Sequence, residues 1–316
     1  MTVQLYRGLE SINPPMRGVT LTFGNFDGVH RGHQQILAQA GMLAERDGSP
    51  VVAVTFDPHP LTLIAPHRSL RWLTPLDEKV DLLGRAGADA VVVIETTQAF
   101  LEQSPEQFVA ETIAARFSPA HVVEGPSWRF GRGREGDVAM LQRLGGEFGF
   151  EVYVVPGWRL EIDPSGAVLV TSTLIRDLLE KHHVRRAAHC LGRPYTLIGR
   201  VIRGDGRGRQ LGFPTANLDV GDQLIPGEGI YAGRCTAAGR RHVAAVSIGR
   251  NPTFDKERLS VEAFLLDFDE DIYDEVVRVE LLRWLRDQRR FESADALVRQ
   301  MRADVQEIRG ISRAAD

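Results

Sequence analysis

Residues 22–33 read TFGNFDGVHRGH and join an apolar run to a turn rich in Gly, Asn and Asp. The HRGH at the end of this stretch opens a pattern typical of a helix over residues 32–46. This placement brings His30, His33 and the first N–H groups of a helix to a point where the helix dipole favours negative charge. Gly32 lets a phosphate approach the backbone. The stretch is therefore predicted to bind the phosphates of a nucleoside triphosphate.

The length, charge and cysteine content of the chain limit the kinds of partner and compartment that we expect for it. The chain of 316 residues is long enough for two cores, and its net charge of -4 gives no general attraction to nucleic acid or anionic membrane. Cys190 and Cys235 lie far apart without metal-ligand spacing, which favours reduced thiols in the cytoplasm. The first residues lack a signal-peptide pattern, and no apolar run approaches the roughly 20 residues that span a bilayer. We expect small-molecule partners, no nucleic acid and no membrane.

The first part of the chain has the pattern of an α/β domain. Short β-branched runs alternate with helical patterns between residues 19 and 179, which favours a parallel sheet with crossover helices. Strands are expected at residues 19–23, 51–56, 90–94, 121–123 and 152–155. Helices are expected at residues 32–46, 76–85, 105–117 and 137–148. Ligands of such sheets bind at the carboxyl ends of the strands, where the opening stretch lies.

The second part of the chain changes character. Gly-rich turns and short alternating runs from residue 196 onward favour a small antiparallel β-barrel. Its strands are expected at residues 197–202, 230–236, 242–248, 260–268 and 276–284. A C-terminal helix with one apolar face is expected at residues 293–308. The domains are therefore predicted at 1–180 and 196–316, joined by a basic connecting helix and linker at 181–195.

The opening stretch, with TFDPHP at residues 55–60 and TSTLIR at residues 171–176, resembles the HxGH nucleotidyltransferases. Within them it is most similar to the adenylyltransferase part of the bacterial bifunctional riboflavin kinase/FAD synthetase family. The resemblance implies a Rossmann-like domain in which His30 and His33 are catalytic, stabilising charge on the α-phosphate of ATP. The resemblance implies ATP contacts from Phe23, Gly24, Asn25, Ser172, Thr173 and Arg176. The residues alone leave simple helix capping open for Ser172 and Thr173.

The FMN-binding residues implied by the resemblance are Asp57, Arg68, Ser127 and Trp128. Residues 125–131 read GPSWRFG, where the family more often has G-x-[DN]-F-x-FG. Ser127 thus replaces a carboxylate or carboxamide, and Trp128 keeps an aromatic face that suits a flavin or adenine ring. A surface arginine without a ligand is an alternative for Arg68.

Residues 199–218, GRVIRGDGRGRQLGFPTANL, resemble the nucleotide loop of riboflavin kinases. The resemblance implies that a flexible glycine loop wraps ATP, with contacts from Gly204, Gly206, Gly208 and Gly212. It also implies that Thr215 and Asn217, both oxygen donors, bind Mg²⁺ together with the nucleotide. For the Gly/Arg part alone, a solvated hairpin or an RNA-binding turn is an alternative.

Two later segments, SIGRNPTF at residues 247–254 and VEAFLLDFDED at residues 261–271, continue the riboflavin kinase resemblance. Glu262 lies within an apolar run, so it is either salt-bridged or functional. The resemblance implies that Glu262 is the general base for the ribityl 5′-hydroxyl, and that Arg286 closes over the flavin or ADP. Four positions depart from the family pattern: Ser247, Phe264, Asp274 and Gln288.

The expected function is bifunctional flavin-cofactor synthesis, with ATP as co-substrate and Mg²⁺ as cofactor. The C-terminal domain would make FMN from riboflavin, and the N-terminal domain would make FAD and pyrophosphate from FMN. Two alternatives remain on the residues alone. One is an HxGH nucleotidyltransferase acting on another substrate with a non-catalytic barrel, and the other is a flavin- or RNA-binding regulator. The oligomeric state is left open.

Overall fold

The computed structural model describes residues 3–67, 71–161, 166–204, 208, 212–250 and 259–314. The chain divides into two units, Met1–Thr171 and Ser172–Asp316. This division precedes the predicted boundary at residue 180, and the boundary stays a prediction. Within the described parts of the chain, no helix is both long enough and apolar enough to cross a bilayer.

A six-stranded parallel sheet forms the centre of the first unit, in the order β1-β4-β3-β2-β5-β8. Its strands are β1 (Gln4–Arg7), β2 (Thr20–Phe23), β3 (Val51–Asp57), β4 (Ala90–Glu95), β5 (His121–Glu124) and β8 (Glu151–Val154). Val52 and Val54 point into the core on one face, and Val51 and Ala53 into the core on the other. Helices cover both faces, as a parallel sheet requires.

The helices of the first unit are α1 (Arg31–Asp47), α2 (Pro60–Ile64), α3 (Leu76–Arg85), α4 (Gln98–Leu101), α5 (Pro105–Gln107), α6 (Ala115–Phe117) and α7 (Val138–Phe148). A π-helical stretch, Phe108–Ala114, makes α5 and α6 one continuous run. Two small hairpins complete the unit: β6 (Arg129–Phe130) with β7 (Gly136–Asp137), and β9 (Arg159–Glu161) with β10 (Ala167–Leu169). Helices α1 and α3 pack on one face of the sheet, and α7 packs on the other.

A closed antiparallel barrel forms the centre of the second unit, in the order β11-β12-β15-β14-β13-β16. Its strands are β11 (Tyr195–Ile202), β12 (Ala216–Asp219), β13 (Gly229–Ala237), β14 (Arg240–Arg250), β15 (Leu259–Leu265) and β16 (Val276–Arg286). Alternate residues such as Val261 and Ala263 are almost fully buried, which is the pattern of a filled barrel. The C-terminal helix, Ala294–Ala314, packs on the barrel with Ile308 buried.

Two short helices, α8 (Ser172–Glu180) and α9 (Val184–Leu191), precede the barrel in the second unit. His182, between them, stacks on Trp284 with ring centroids 5.4 Å apart. Its Nδ1 lies 3.2 Å from the hydroxyl of Tyr231. The segment predicted as connecting helix and linker is therefore packed on the barrel within this unit.

The predicted fold class is confirmed: a parallel α/β domain, then an antiparallel barrel and a C-terminal helix. The ten predicted strands are all present, most with ends shifted by one or two residues. Six strands were not predicted: β1, β12 and the four strands of the two small hairpins. β1 is a short edge strand without an apolar alternation, and β12 carries the polar sequence ANLD. β1 and β12 each form by pairing with strands that are distant in the sequence, and no local pattern predicts such a pairing.

Candidate active sites

The turn between β2 and α1 has an unusual backbone that the core holds in place. β2 ends at Phe23, and α1 begins at Arg31 with His30 as its N-cap. Phe26 and Val29 have positive φ angles of 46° and 38°, which are costly for these side chains. Both side chains are only 1% exposed, so burial offsets the backbone strain. The same apolar contacts that stabilise the core thereby give the turn its shape.

His30 and His33 lie together at the start of α1, as the sequence predicted. Their rings stack with centroids 3.6 Å apart, and Phe26 packs edge-on against His33 at 5.2 Å. Burial, the neighbouring His30 and the ammonium of Lys79 hold the pKa of His33 well below its ordinary value. His33 is therefore neutral at physiological pH, and its Nδ1 has no hydrogen-bond partner among the described residues.

Asp27 anchors the middle of the turn to the chain that precedes α3. Its carboxylate accepts hydrogen bonds from the backbone N–H of Leu73, at 2.9 and 3.1 Å, and of Thr74, at 3.2 Å. Asp27 is 4% exposed. Charge-assisted bonds to backbone donors are among the stronger hydrogen bonds, so this acid has a structural task that sequence reasoning missed.

Two further polar groups hold the turn from the neighbouring strands. On β3, Thr55 Oγ1 donates to the carbonyl of Asn25 at 3.3 Å. On β5, Glu124 Oε1 accepts from the N–H of Phe23 at 2.6 Å. Burial raises the pKa of Glu124 well above its ordinary value, although the hydrogen bond from Phe23 acts in the opposite direction. Glu124 was not predicted, and its only sequence signal is a charged residue that ends an apolar strand.

Trp128 belongs to an aromatic cluster beside the end of β2. Its indole stacks on Phe130 with centroids 4.7 Å apart and lies 6.1 Å from the ring of Phe23. Phe130 thus covers part of the Trp128 indole, whose face was predicted to suit a flavin or adenine ring. Ser127 and Asp57 are exposed. Their FMN-binding roles stay predictions, and Arg68 lies outside the described residues.

Ser172, Thr173 and Arg176 belong to α8, with the first two in its first turn. Such a position presents backbone N–H groups to an anion. The phosphate-binding role of these three residues stays a prediction.

In the barrel, the predicted kinase residues lie in one row that crosses adjacent strands. Asn217 on β12 pairs with Glu262 on β15, and Glu262 pairs with Ser247 on β14. The row continues through Ile230 to Arg286 on β16. Cross-strand partners project from the same face of a sheet, and here the alternate residues fill the barrel. The row therefore lies on the outer face of the barrel.

Thr215 joins this row from just before β12. Its hydroxyl donates to Glu262 Oε2 at 3.3 Å. Glu262 is thus half-buried and hydrogen-bonded rather than isolated. Hydroxyl, amide and carboxylate oxygens meet here, which is the donor chemistry that Mg²⁺ prefers. Among the described residues, no three or more His, Cys, Asp or Glu side chains form a cluster suited to a metal.

The described loop glycines are close to the same group. A Cβ on Gly204 would lie 2.2 Å from Asn217 Nδ2, and a Cβ on Gly208 would lie 2.4 Å from the carbonyl oxygen of Phe213. Gly212 has a φ of 81°, which glycine adopts without strain. Gly204 and Gly208 thus pack closely against Asn217 and Phe213, whereas at Gly212 it is the backbone conformation that favours glycine. Gly206 lies outside the described residues, and the ATP contacts of the loop stay predictions.

Comparison with known proteins shows the family to which each part of the chain is similar. A family model described as FAD synthetase matches residues 13–164, and one described as riboflavin kinase matches residues 191–312. The bifunctional riboflavin kinase/FMN adenylyltransferase of Escherichia coli K12 is 34% identical over 96% of this chain and 96% of its own length. The chain belongs to this bifunctional family.

Further relatives support the same family across the whole chain. The bifunctional riboflavin kinase/FMN adenylyltransferase of Listeria monocytogenes is 36% identical over 92% of this chain and 91% of its own length. A crystal structure described as a macrolide-efflux protein from Streptococcus pneumoniae has a TM-score of 0.86 and 30% identity, and the match covers 98% of this chain and 99% of that one. The order and extent of both units are therefore those of known relatives.

Two departures from the family pattern contact each other. Gln288 Nε2 donates to Ser247 Oγ and to the carbonyl of Ile248, both at 3.1 Å. The Gln288 amide also lies directly over Gly249, because a Cβ there would be 2.1 Å from Nε2. Ser247 and Gln288 thus form a side-chain contact next to Glu262.

The other departures are accommodated locally. Phe264, where the family often has His, packs edge-on against Phe213 with centroids 5.2 Å apart. Asp274, where the family has Gly, adopts the left-handed conformation with a φ of 66°, which Asp tolerates better than most residues. Neither change touches Thr215 or Glu262.

Arg286 is engaged within the second unit. Its guanidinium forms a two-pronged ion pair with Asp304 of the C-terminal helix, with Nε–Oδ1 and Nη2–Oδ2 distances of 3.1 and 2.7 Å. Both side chains are largely buried. A contact of Arg286 with flavin or ADP stays a prediction, and it would compete with this pair or use the remaining N–H groups.

Proposed function

We propose that the two reactions of the family are divided between the two parts of the chain. The adenylyltransferase is assigned to residues 1–180 and the kinase to residues 196–316, with residues 181–195 between them. The two family models support this division, because one matches the chain before residue 165 and the other matches it after residue 190. Riboflavin, FMN, FAD and ATP are then the small-molecule partners.

The kinase reaction is assigned to the row on the barrel. Glu262 accepts the proton of the ribityl 5′-hydroxyl, whose oxygen attacks the γ-phosphorus of ATP as ADP leaves. Thr215 holds the Glu262 carboxylate at 3.3 Å, and Asn217 is its cross-strand neighbour. Thr215 and Asn217 would hold Mg²⁺, which neutralises phosphate charge when bound. The contact between Thr215 and Glu262 is the observation that carries this assignment.

The adenylyltransferase reaction is assigned to the turn between β2 and α1. A phosphate oxygen of FMN attacks the α-phosphorus of ATP, and pyrophosphate leaves. His30, His33 and the N–H of Asn25 stabilise the negative charge that builds up at that phosphorus. The N–H groups of Phe23 and Gly24 are bonded to Glu124 and to the carbonyl of Val54, so these two residues are assigned other contacts with ATP. Stacking of the two imidazoles at 3.6 Å is the observation that carries this assignment. Ser172, Thr173 and Arg176 are assigned to ATP phosphates, as the sequence predicts.

A cytoplasmic location is part of the proposal. Cys190 and Cys235 are both buried and form no disulfide, which suits a reducing compartment. The chain also has no net positive charge to attract nucleic acid, so no such partner is assigned.

Flavin separation tests the whole assignment. The purified protein is incubated with ATP and Mg²⁺, once with riboflavin and once with FMN, and the flavins are separated by chromatography. We expect FMN followed by FAD in the first incubation and FAD in the second. No FMN from riboflavin contradicts the kinase assignment, and no FAD from FMN contradicts the adenylyltransferase assignment. Omitting Mg²⁺ is expected to abolish both products.

A further inference from the structure

Lys79 on α3 is a buried cation that neither assigned reaction uses. Its side chain is 7% exposed, and lysine is rarely so buried unless it is paired. Its Nζ makes a long hydrogen bond, 3.5 Å, to Thr55 Oγ1. An ammonium has three donors, and this is its one hydrogen bond among the described residues. The cost of burying it therefore needs another explanation.

The first part of that explanation is a chain of hydrogen bonds to the catalytic turn. Thr55 accepts from Lys79 and donates its own hydroxyl proton to the carbonyl of Asn25, at 3.3 Å. Thr55 is fully buried, so this route is shielded from water. The position of Asn25, a predicted ATP contact, is thereby connected to the Lys79 ammonium.

The second part is electrostatic. Lys79 interacts with Asp27 on the turn and Asp57 at the end of β3, which partly offset the lowering of its pKa by burial. It also interacts with His33 at the start of α1, where its positive charge adds to the lowering of the His33 pKa. A single buried charge thus faces the carboxylates and the imidazole that surround the turn.

We propose that Lys79 is a positioning residue for FMN adenylylation, holding the Asn25 carbonyl through Thr55 and setting the charge around the His30–His33 pair. This inference rests on the assignment of that pair to the adenylyltransferase reaction. Lys79 contacts neither ATP nor FMN in this proposal, and it acts through groups that do.

Replacing Lys79 by Met tests the proposal, because Met keeps the length of the side chain and removes the charge. We expect kcat/KM for FMN adenylylation to fall by about tenfold or more, as for other misplaced catalytic groups. The acid limb of its pH profile is expected to move to higher pH, because His33 without the nearby charge protonates more readily. Riboflavin phosphorylation by the same preparation should change by less than about twofold, since the barrel does not depend on Lys79.

Two further variants separate the hydrogen-bond contribution of Lys79 from its electrostatic contribution. Lys79→Arg keeps the charge and should keep the acid limb in place. Thr55→Val removes the hydroxyl and should lower kcat without moving the limb. Arg143→Met, which removes an exposed cation from α7 on the other face of the sheet, is the control and should leave adenylylation unchanged.

A folded Lys79→Met protein, judged by circular dichroism, with the pH profile of the parent would overturn the proposal. If that variant does not fold, unchanged kinetics in Thr55→Val would overturn it instead. His30→Ala is measured in parallel, because full FAD formation in that variant would mean that the assignment of the pair has failed rather than the role of Lys79.

Discussion

The two proposed ATP sites are built from different kinds of structure. The first places its chemistry on a continuous turn of the backbone, which buried groups fix from below: Asp27, Thr55 and Glu124. The second places its chemistry on side chains that project from the outside of a barrel, in a row set by strand register. A turn can be disturbed through the core beneath it, whereas a row of side chains can be changed one member at a time.

The two reactions should be separable by mutation. The buried supports of the first site lie in the first unit, and the supports of the barrel row lie in the second. A change in one set should therefore leave the other reaction intact. The first two of the following variants test this on the two reactions, and the other two test the contacts that support each site. They are given in order of decreasing effect.

Glu262→Gln is expected to have the largest effect, since it removes the general base while keeping the shape of the side chain. FMN formation should fall by about 10³-fold, in the range of a lost acid–base group. FAD formation from supplied FMN should persist. Chromatography of both incubations measures this, with the exposed Glu270→Gln as the control. Loss of both activities would show that the reactions are not separable.

His30→Ala is the counterpart in the first unit. FAD formation should fall by about 10²-fold, as for loss of one charge-stabilising donor. FMN formation from riboflavin should remain at the parental rate. Initial rates at saturating ATP provide the measurement. Unchanged FAD output would refute the role of the imidazole pair.

Glu124→Ala should destabilise the first unit by about 1–3 kcal/mol, because the N–H of Phe23 loses its buried acceptor. Glu124→Gln, which keeps an acceptor oxygen, should cost less. Urea unfolding in a Trp284→Phe background measures this, because the remaining tryptophans, Trp72, Trp128 and Trp158, all lie in the first unit. Equal losses in the two variants would argue against the hydrogen bond.

The same variants test a pH dependence. Glu124 has a higher pKa in the folded state than in the unfolded state, so the folded state binds its proton more tightly. Its contribution is therefore greatest below the ordinary carboxyl pKa and decreases as the pH rises toward the folded value. Glu124→Gln should remove this decrease.

Gly249→Ala is expected to have the smallest effect, about 1 kcal/mol, because the new methyl group would displace Gln288 from Ser247. Gln288→Ala removes the same hydrogen bond and, in the double variant, also relieves the clash, so the effects of the two changes should not be additive. Thermal unfolding measures both. Gly310→Ala, in open space on the C-terminal helix, is the control. Strict additivity would show that the contact is not formed.

The sequence alone was a good guide to the first site where the site is local. Residues 22–33 hold the strand end, the turn and both imidazoles, and a pattern within twelve residues is fixed by short-range backbone geometry. It was a poor guide to what supports that turn. Thr55, Lys79 and Glu124 come from three other elements, and only the parallel pairing of β2 with β3 and β5 brings the two strand residues near.

At the second site, the features that the sequence predicts and those that the tertiary structure decides are different from those at the first. The sequence predicted the fold class, which is confirmed. It also predicted Thr215, Asn217 and Glu262 as kinase residues, because they sit in recognisable motifs, and these roles stay predictions. It did not show that Asn217, Glu262 and Ser247 form one row, or that Gln288 reaches Ser247. Those neighbours are separated by tens of residues, and a shift of one residue in register would move each side chain to the other face of the barrel. Only the closed barrel, by setting the register of every strand pair, decides which of them meet.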